Sequence, residues 1–368
     1  MKKIYAYDHT PISFDFAQSV ERFFVEEIPL YRFNNSGNFL ILKIKKQEIS
    51  TFKLISVLAN AANIEQRDIG YAGLKDKNAT ALQYISLPKK YEKELLKNLT
   101  TPKIEILEKY YSKFPIKIGQ LKANRFSIVL HRVSPKSFEA IQKVTKTMLK
   151  EGIPNYYGYQ RFGEDGKSYL QGQKIAQSNK RLKGAKEKLL VSAYQSYLYN
   201  EWLASRIKIS QTVRDNSIHK ATQLLDYPEP LVQALQQQPH FFKLFIGELY
   251  QTYPYGKELR PNNELLQNAK DFARGKISPT GLLAGSHVKR AHSDARVLEE
   301  AYDDRNLASL KGDRRYAWIW LSDLSFEYDE QAQHLTINFA LPKGSYATTF
   351  LEEIGKRELN STTTHKGK

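Results

Sequence analysis

The sequence predicts an α/β (α+β) protein of two or three domains. Three observations carry this reading. Apolar and polar residues alternate near both ends of the chain, apolar residues recur at helical spacing between them, and 368 residues that are 41% apolar and 12% aromatic can bury a large core. β-rich ends around a helix-rich middle form the pattern expected of a domain inserted into a sheet protein.

The elements follow in order. Residues 22–45 read as two strands, with Phe24, Val25 and Ile28 in the first and Phe39–Ile44 in the second, joined through Asn34-Asn35-Ser36-Gly37. Ser50 can cap a helix whose Leu54, Ile55, Leu58 and Ala62 share a face. A strand is expected over 79–87, a short helix over 92–99, a strand bearing Ile104 and Ile106, and another over 124–133. Ser134-Pro135 opens a helix to about residue 150, with proline where its missing N–H costs little. Residues 155–170 are rich in Tyr, Gly, Gln and Arg; a basic run with Lys180 and Arg181 follows, then a long helix over 188–207 and mostly helical chain to 275. Strand signals return at Tyr316–Leu321 and in the alternating Leu335, Ile337, Phe339 and Leu341. A last helix spans 346–356, and the polar end of the chain is expected to be disordered.

Composition narrows the function. Fifty-six Lys+Arg against 39 Asp+Glu give a formal charge of +17, which favours phosphate backbones as partners. Without cysteine, disulfides, thiolate metal sites and cysteine nucleophiles are excluded, and a reducing cytoplasm is the expected location. The apolar run after Lys2-Lys3 is too short for a signal peptide, and no window approaches the roughly 18 apolar residues of a membrane span. The eight histidines are scattered, so no metal is expected.

The residues most suggestive of chemistry are Gly73-Leu74-Lys75-Asp76-Lys77-Asn78-Ala79, with Gln83 following. On the residues alone, Asp76 either caps a turn between strands or is a reactive carboxylate whose ionised form the flanking lysines favour. Phe126 is either a core residue alternating with Ile128 and Leu130 or an aromatic wall for a base.

The Gly-x-Lys-Asp-Lys stretch resembles the active-site motif of the tRNA pseudouridine synthase D (TruD) family. The likeness continues, in the family's order, through Ala123-Asn124-Arg125-Phe126, the segment 152–163, Ser192-Ala193-Tyr194-Gln195-Ser196-Tyr197-Leu198-Tyr199-Asn200, the segment 280–285, which looks like a family loop, and Phe339–Thr349. The resemblance implies a pseudouridine synthase catalytic domain with a mixed, largely antiparallel sheet. It also implies a TruD-specific α/β insertion, set here at 155–313 between catalytic parts at 1–154 and 314–357, with a tail at 358–368. It implies isomerisation of uridine, usually uridine 13 of the tRNA D arm, without cofactor or metal, by a chain expected to be monomeric. Asp76 would do the chemistry as nucleophile or base, Phe126 would stack on the flipped base and Asn124 would orient. Lys75, Lys77, Arg161, Lys180 and Arg181 are candidates for the RNA backbone.

Some positions depart from the family pattern. Ala81 stands where threonine is usual, Asn78 where histidine is usual, and no lysine stands near Ala17. The cationic partner of Asp76 is thus left open between Lys75 and Lys77. These departures also frame the alternative, a non-catalytic RNA-binding or RNA-folding protein of the same fold.

Overall fold

A computed structural model describes residues 3–163, 165–178, 182, 184–260, 264–308 and 310–359. In chain order its strands are β1 (Phe23–Pro29), β2 (Phe39–Lys46), β3 (Gly70–Tyr71), β4 (Thr80–Pro88), β5 (Ile104–Ser112), β6 (Leu121–Leu130), β7 (Ile153–Pro154), β8 (Tyr250–Thr252), β9 (Ile277–Leu283), β10 (Asp313–Tyr316), β11 (Trp318–Ile319), β12 (Ser322–Asp329) and β13 (His334–Pro342). The helices used below are α1 (Thr51–Ala62), α2 (Glu92–Asn98), α3 (Pro135–Glu151), α4 (Ser168–Gln177) and α5 (Gly184–Asp215).

The chain forms two compact units. The sheet unit comprises Ser13–Ala140 and Leu321–Gly344; the helix-rich unit comprises Ile141–Trp320 together with residues 3–12 and 345–359. These divisions differ from 154/155 and 313/314, and residues 3–12 and 345–359 join the helix-rich unit rather than the sheet. The reason is a set of contacts separated by more than 340 residues. Lys3 pairs with the buried Glu352, the Tyr7 N–H donates to Glu353 Oε1 at 3.0 Å, and His9 Nε2 bonds to the Ile354 carbonyl at 2.9 Å. Leu359, in the expected tail, is buried and its N–H donates to Glu352 Oε1 at 3.1 Å. Residues 360–368 of that tail lie outside the described residues.

The sheet unit holds eight strands in the order β12-β13-β6-β1-β4-β2-β5, with β3 also on β4. β1 and β4 run parallel and the other pairs are antiparallel, so the sheet is mixed and largely antiparallel. Period-2 alternation turns Leu40, Leu42 and Ile44 of β2 to one face, where Leu54, Ile55 and Leu58 of α1 and Leu95 of α2 cover them. Each such aliphatic side chain contributes roughly 1.5–3 kcal/mol on burial. Ser50 Oγ accepts from Lys53 N at 3.2 Å and fixes the start of α1. β12 was not foreseen. It is an edge strand with Ser322, Asp323, Glu327 and Asp329 exposed, too polar to give an apolar signal.

In the helix-rich unit, α5 runs for 32 residues and carries Tyr199, Trp202, Leu203 and Ile207 into a core with Phe242, Phe272 and Trp318. It extends beyond 188–207 at both ends. The segment 280–283, read as part of a loop, is instead the end of β9, the central strand between β10 and β8. β9 is buried on both faces from Ile277 to Leu282, which removes the alternation that would reveal it. Gly281 has a packing reason: a Cβ there would lie 2.3 Å from the Trp202 ring. No helix among the described residues is long and apolar enough to cross a membrane.

Candidate active site

The loop between β3 and β4 carries Asp76, and side chains from three other elements fix its backbone. Alternation along β2 places Lys46 on the same inward face as Ile44, fully buried. Its ammonium donates to three carbonyls: Ile49 at 2.7 Å, Asp76 at 2.8 Å and Lys75 at 3.2 Å. Thr51, in the first turn of α1, accepts from the Lys75 N–H at 2.9 Å and donates to Gln83 Oε1 at 3.2 Å. Gln83, on β4, in turn donates from Nε2 to the Gly73 carbonyl at 2.7 Å. Buried polar groups left unpaired are costly, so these reciprocal bonds define one loop geometry.

Lys75 and Asp76 point to different fates. The Lys75 ammonium is buried and pairs with Glu27 Oε1 at 2.6 Å. Glu27 Oε2 also accepts from the Tyr84 N–H at 3.0 Å, filling the gap where β1 and β4 diverge beyond Glu26. Asp76 is exposed, and Gln18 Nε2 donates to its Oδ2 at 3.1 Å. An accessible carboxylate thus stands on a backbone that cannot easily move.

Asn124 and Phe126 lie two residues apart on one face of β6. Asn124 sits opposite Glu27 of β1, and Phe126 opposite Val25, which pairs on its other side with Ala81. Phe126 and Ala81 are therefore two strand spacings apart, about 10 Å. Phe126 is 6% exposed; it stacks with Phe339 at 5.4 Å between ring centroids and meets Phe23 edge-on at 5.9 Å. Asn124 Oδ1 is buried and accepts no hydrogen bond among the described residues. An unpaired buried amide oxygen is an acceptor without its donor.

The remaining basic candidates separate. Lys77 is exposed. Lys75 is corrected: burial and its ion pair with Glu27 leave it neither a backbone contact nor the free partner of Asp76. Arg161, in the helix-rich unit, donates from Nε to Ser196 Oγ at 3.0 Å and from Nη2 to Ser192 Oγ, over the Tyr157 ring. The four-residue spacing of those serines on α5 is what lets one guanidinium reach both. Asn200, one turn on, is buried and holds both backbone groups of Tyr157. Lys180 and Arg181 lie outside the described residues.

Sequence reasoning missed Lys46, Gln18 and Glu27. For Lys46 a signal existed: in Leu40, Leu42, Ile44, Lys46 a lysine falls on the apolar parity of a strand. Burial pulls its pKa down to about 8; Asp76 opposes that shift, Lys75 adds to it and Glu27 opposes it. Chemically, the site offers one accessible carboxylate, a neutral amide donor and a buried cation beneath the loop, while the nearby Glu27 is committed to Lys75.

Comparison with known proteins adds to this geometry. Residues 2–185 and 259–354 match the sequence model of the family described as tRNA pseudouridine synthase D (TruD). The chain is similar to the tRNA pseudouridine synthase D of a Nitratiruptor species, at 43% identity over 98% of this chain and 99% of that protein. It is similar also to that of Wolinella succinogenes, at 42% identity over 98% and 99%. Among solved structures it resembles the putative tRNA pseudouridine synthase D of Methanosarcina mazei, with a TM-score of 0.68 over 97% of each chain at 20% identity, a likeness of fold.

Proposed function

The chain belongs to the tRNA pseudouridine synthase D family, and from that premise we propose that it isomerises uridine 13 in the D arm of tRNA with Asp76 as the reacting acid. The enzyme is an isomerase. Its reaction breaks the N1–C1′ bond, turns the freed base and rejoins it through C5, so no group is gained or lost overall. Asp76 acts in one of two ways. As nucleophile, a carboxylate oxygen bonds C1′ while the N1–C1′ pair of electrons leaves with the base. As base, it removes a sugar proton to start the same cleavage. Either way, C5 then bonds C1′ as the ester to Asp76 breaks or the sugar proton returns, and the proton lost from C5 is balanced by one gained at N1.

The observation that carries this reading is the exposed Asp76 carboxylate on a loop pinned from Lys46, Thr51 and Gln83. Positional rigidity matters because misplacement by about 1 Å can cost about 100-fold in rate. Phe126 is assigned to an extruded base, where contact with its ring would recover part of the lost stacking. Asn124 is assigned to orient base or acid: Oδ1, unpaired among the described residues, can accept from an N–H of the base, while a carboxylate would take the amide N–H. The insertion at 155–313 and the exposed Lys77 are assigned to the RNA backbone, with Arg161, Lys180 and Arg181. A formal charge of +17 supports that assignment.

The test uses tRNA from cells lacking this gene. Incubation with the purified protein should create pseudouridine at position 13, mapped by mass spectrometry, while Asp76→Asn protein should bind the tRNA and create none. Modification confined to another position would overturn the assigned target.

A further inference from the structure

Lys46 lies outside every motif that led to Asp76, yet it contacts that loop from below. It is fully buried, at the inward end of β2. Its three N–H groups match three carbonyl oxygens, those of Ile49, Lys75 and Asp76, at 2.7–3.2 Å. Only the protonated amine has three donors; the neutral form has two, so one of these three bonds is lost. The neighbouring lysines cannot replace it. Lys75 is committed to Glu27, and Lys77 is exposed.

We propose that Lys46 is a positioning residue for the reaction, its ammonium fixing the backbone from which the Asp76 carboxylate projects. It does not touch substrate. It acts through the Asp76 carbonyl, and this inference rests on the reading that Asp76 is the reacting group. The charged groups facing Lys46 are Asp76, Lys75 and Glu27. Because burial brings the ammonium to a pKa of about 8, its third hydrogen bond is lost in mildly alkaline solution.

Lys46→Met, Lys46→Gln and Asp76→Asn proteins should be compared with the parent on one tRNA substrate, with thermal melts on each. Lys46→Met is expected to lose about 100-fold in kcat with KM for tRNA within about threefold. Lys46→Gln, which keeps an amide donor, provides the test if Lys46→Met does not fold; it is expected to lose about tenfold. The parent's kcat should fall as pH rises through about 8, and that of Lys46→Gln should lack this step. Folded Lys46 variants with a lowered melting temperature but parental kcat and an unchanged pH profile would overturn the proposal, provided Asp76→Asn is inactive. If Asp76→Asn retains parental activity, the reading of Asp76 itself fails and this inference falls with it.

Discussion

Lys46 in the sheet unit and Lys243 in the helix-rich unit are both buried ammonium groups held by main-chain oxygens. Lys243 Nζ donates to the carbonyls of His240 at 2.9 Å and Gln238 at 3.1 Å, and its pKa, like that of Lys46, is drawn down to about 8 by burial. The difference lies in what the accepting backbone carries. Gln238 and His240 are themselves buried, and their turn is closed by Gln238 bonding both backbone groups of Leu244. One acceptor of Lys46 is the carbonyl of an exposed aspartate. A buried lysine with a depressed pKa thus holds a buried turn in one unit and, in the other, the backbone of the aspartate proposed to react. Its acceptors, more than its own shift, distinguish the two.

Turnover separates the two lysines most widely. Lys46→Met should lower kcat about 100-fold, while Lys243→Met, corrected for the folded fraction, should leave kcat within about twofold of the parent. Equal kcat losses would erase the distinction. Next in size is stability. Both substitutions strand buried carbonyls while removing a buried charge, so each should cost about 1–3 kcal/mol in denaturant unfolding.

Alkaline pH sharpens the contrast further. Both lysines have folded pKa values of about 8, below the ordinary 10.5. Between those values the unfolded chain binds more protons, so stability rises with pH. The parent should gain about 1–2 kcal/mol from pH 8 to 9.5 relative to either Lys→Gln variant. Activity should move the opposite way, and only through Lys46. The smallest effect concerns Gln18. Removing its exposed hydrogen bond to Asp76 in Gln18→Ala should lower kcat by about three- to tenfold, with the melting temperature unchanged.

How much of this was legible in sequence depended on the range of the interactions. Alternation revealed β2 and β13, and helical spacing with Ser50 revealed α1, because those signals are local. Asp76, Asn124 and Phe126 came from motifs. β9 escaped because burial on both faces erases period 2, and β12 because an edge strand needs few apolar residues. The fate of Lys75 turns on Glu27, 48 residues away, and the amide facing Asp76 belongs to Gln18, 58 residues away. Spacing within a motif carries no record of such partners. The lysine parity in β2 was readable, but its acceptors at 49, 75 and 76 were not.

The most direct measurement is the single-turnover rate of pseudouridine formation by Asp76→Asn at saturating enzyme, where binding no longer limits. A fall of at least about 1,000-fold is expected, since the carboxylate is assigned the bond-breaking step. Formation at the parental rate would contradict the assignment of Asp76 and, with it, the role given to the loop that carries it.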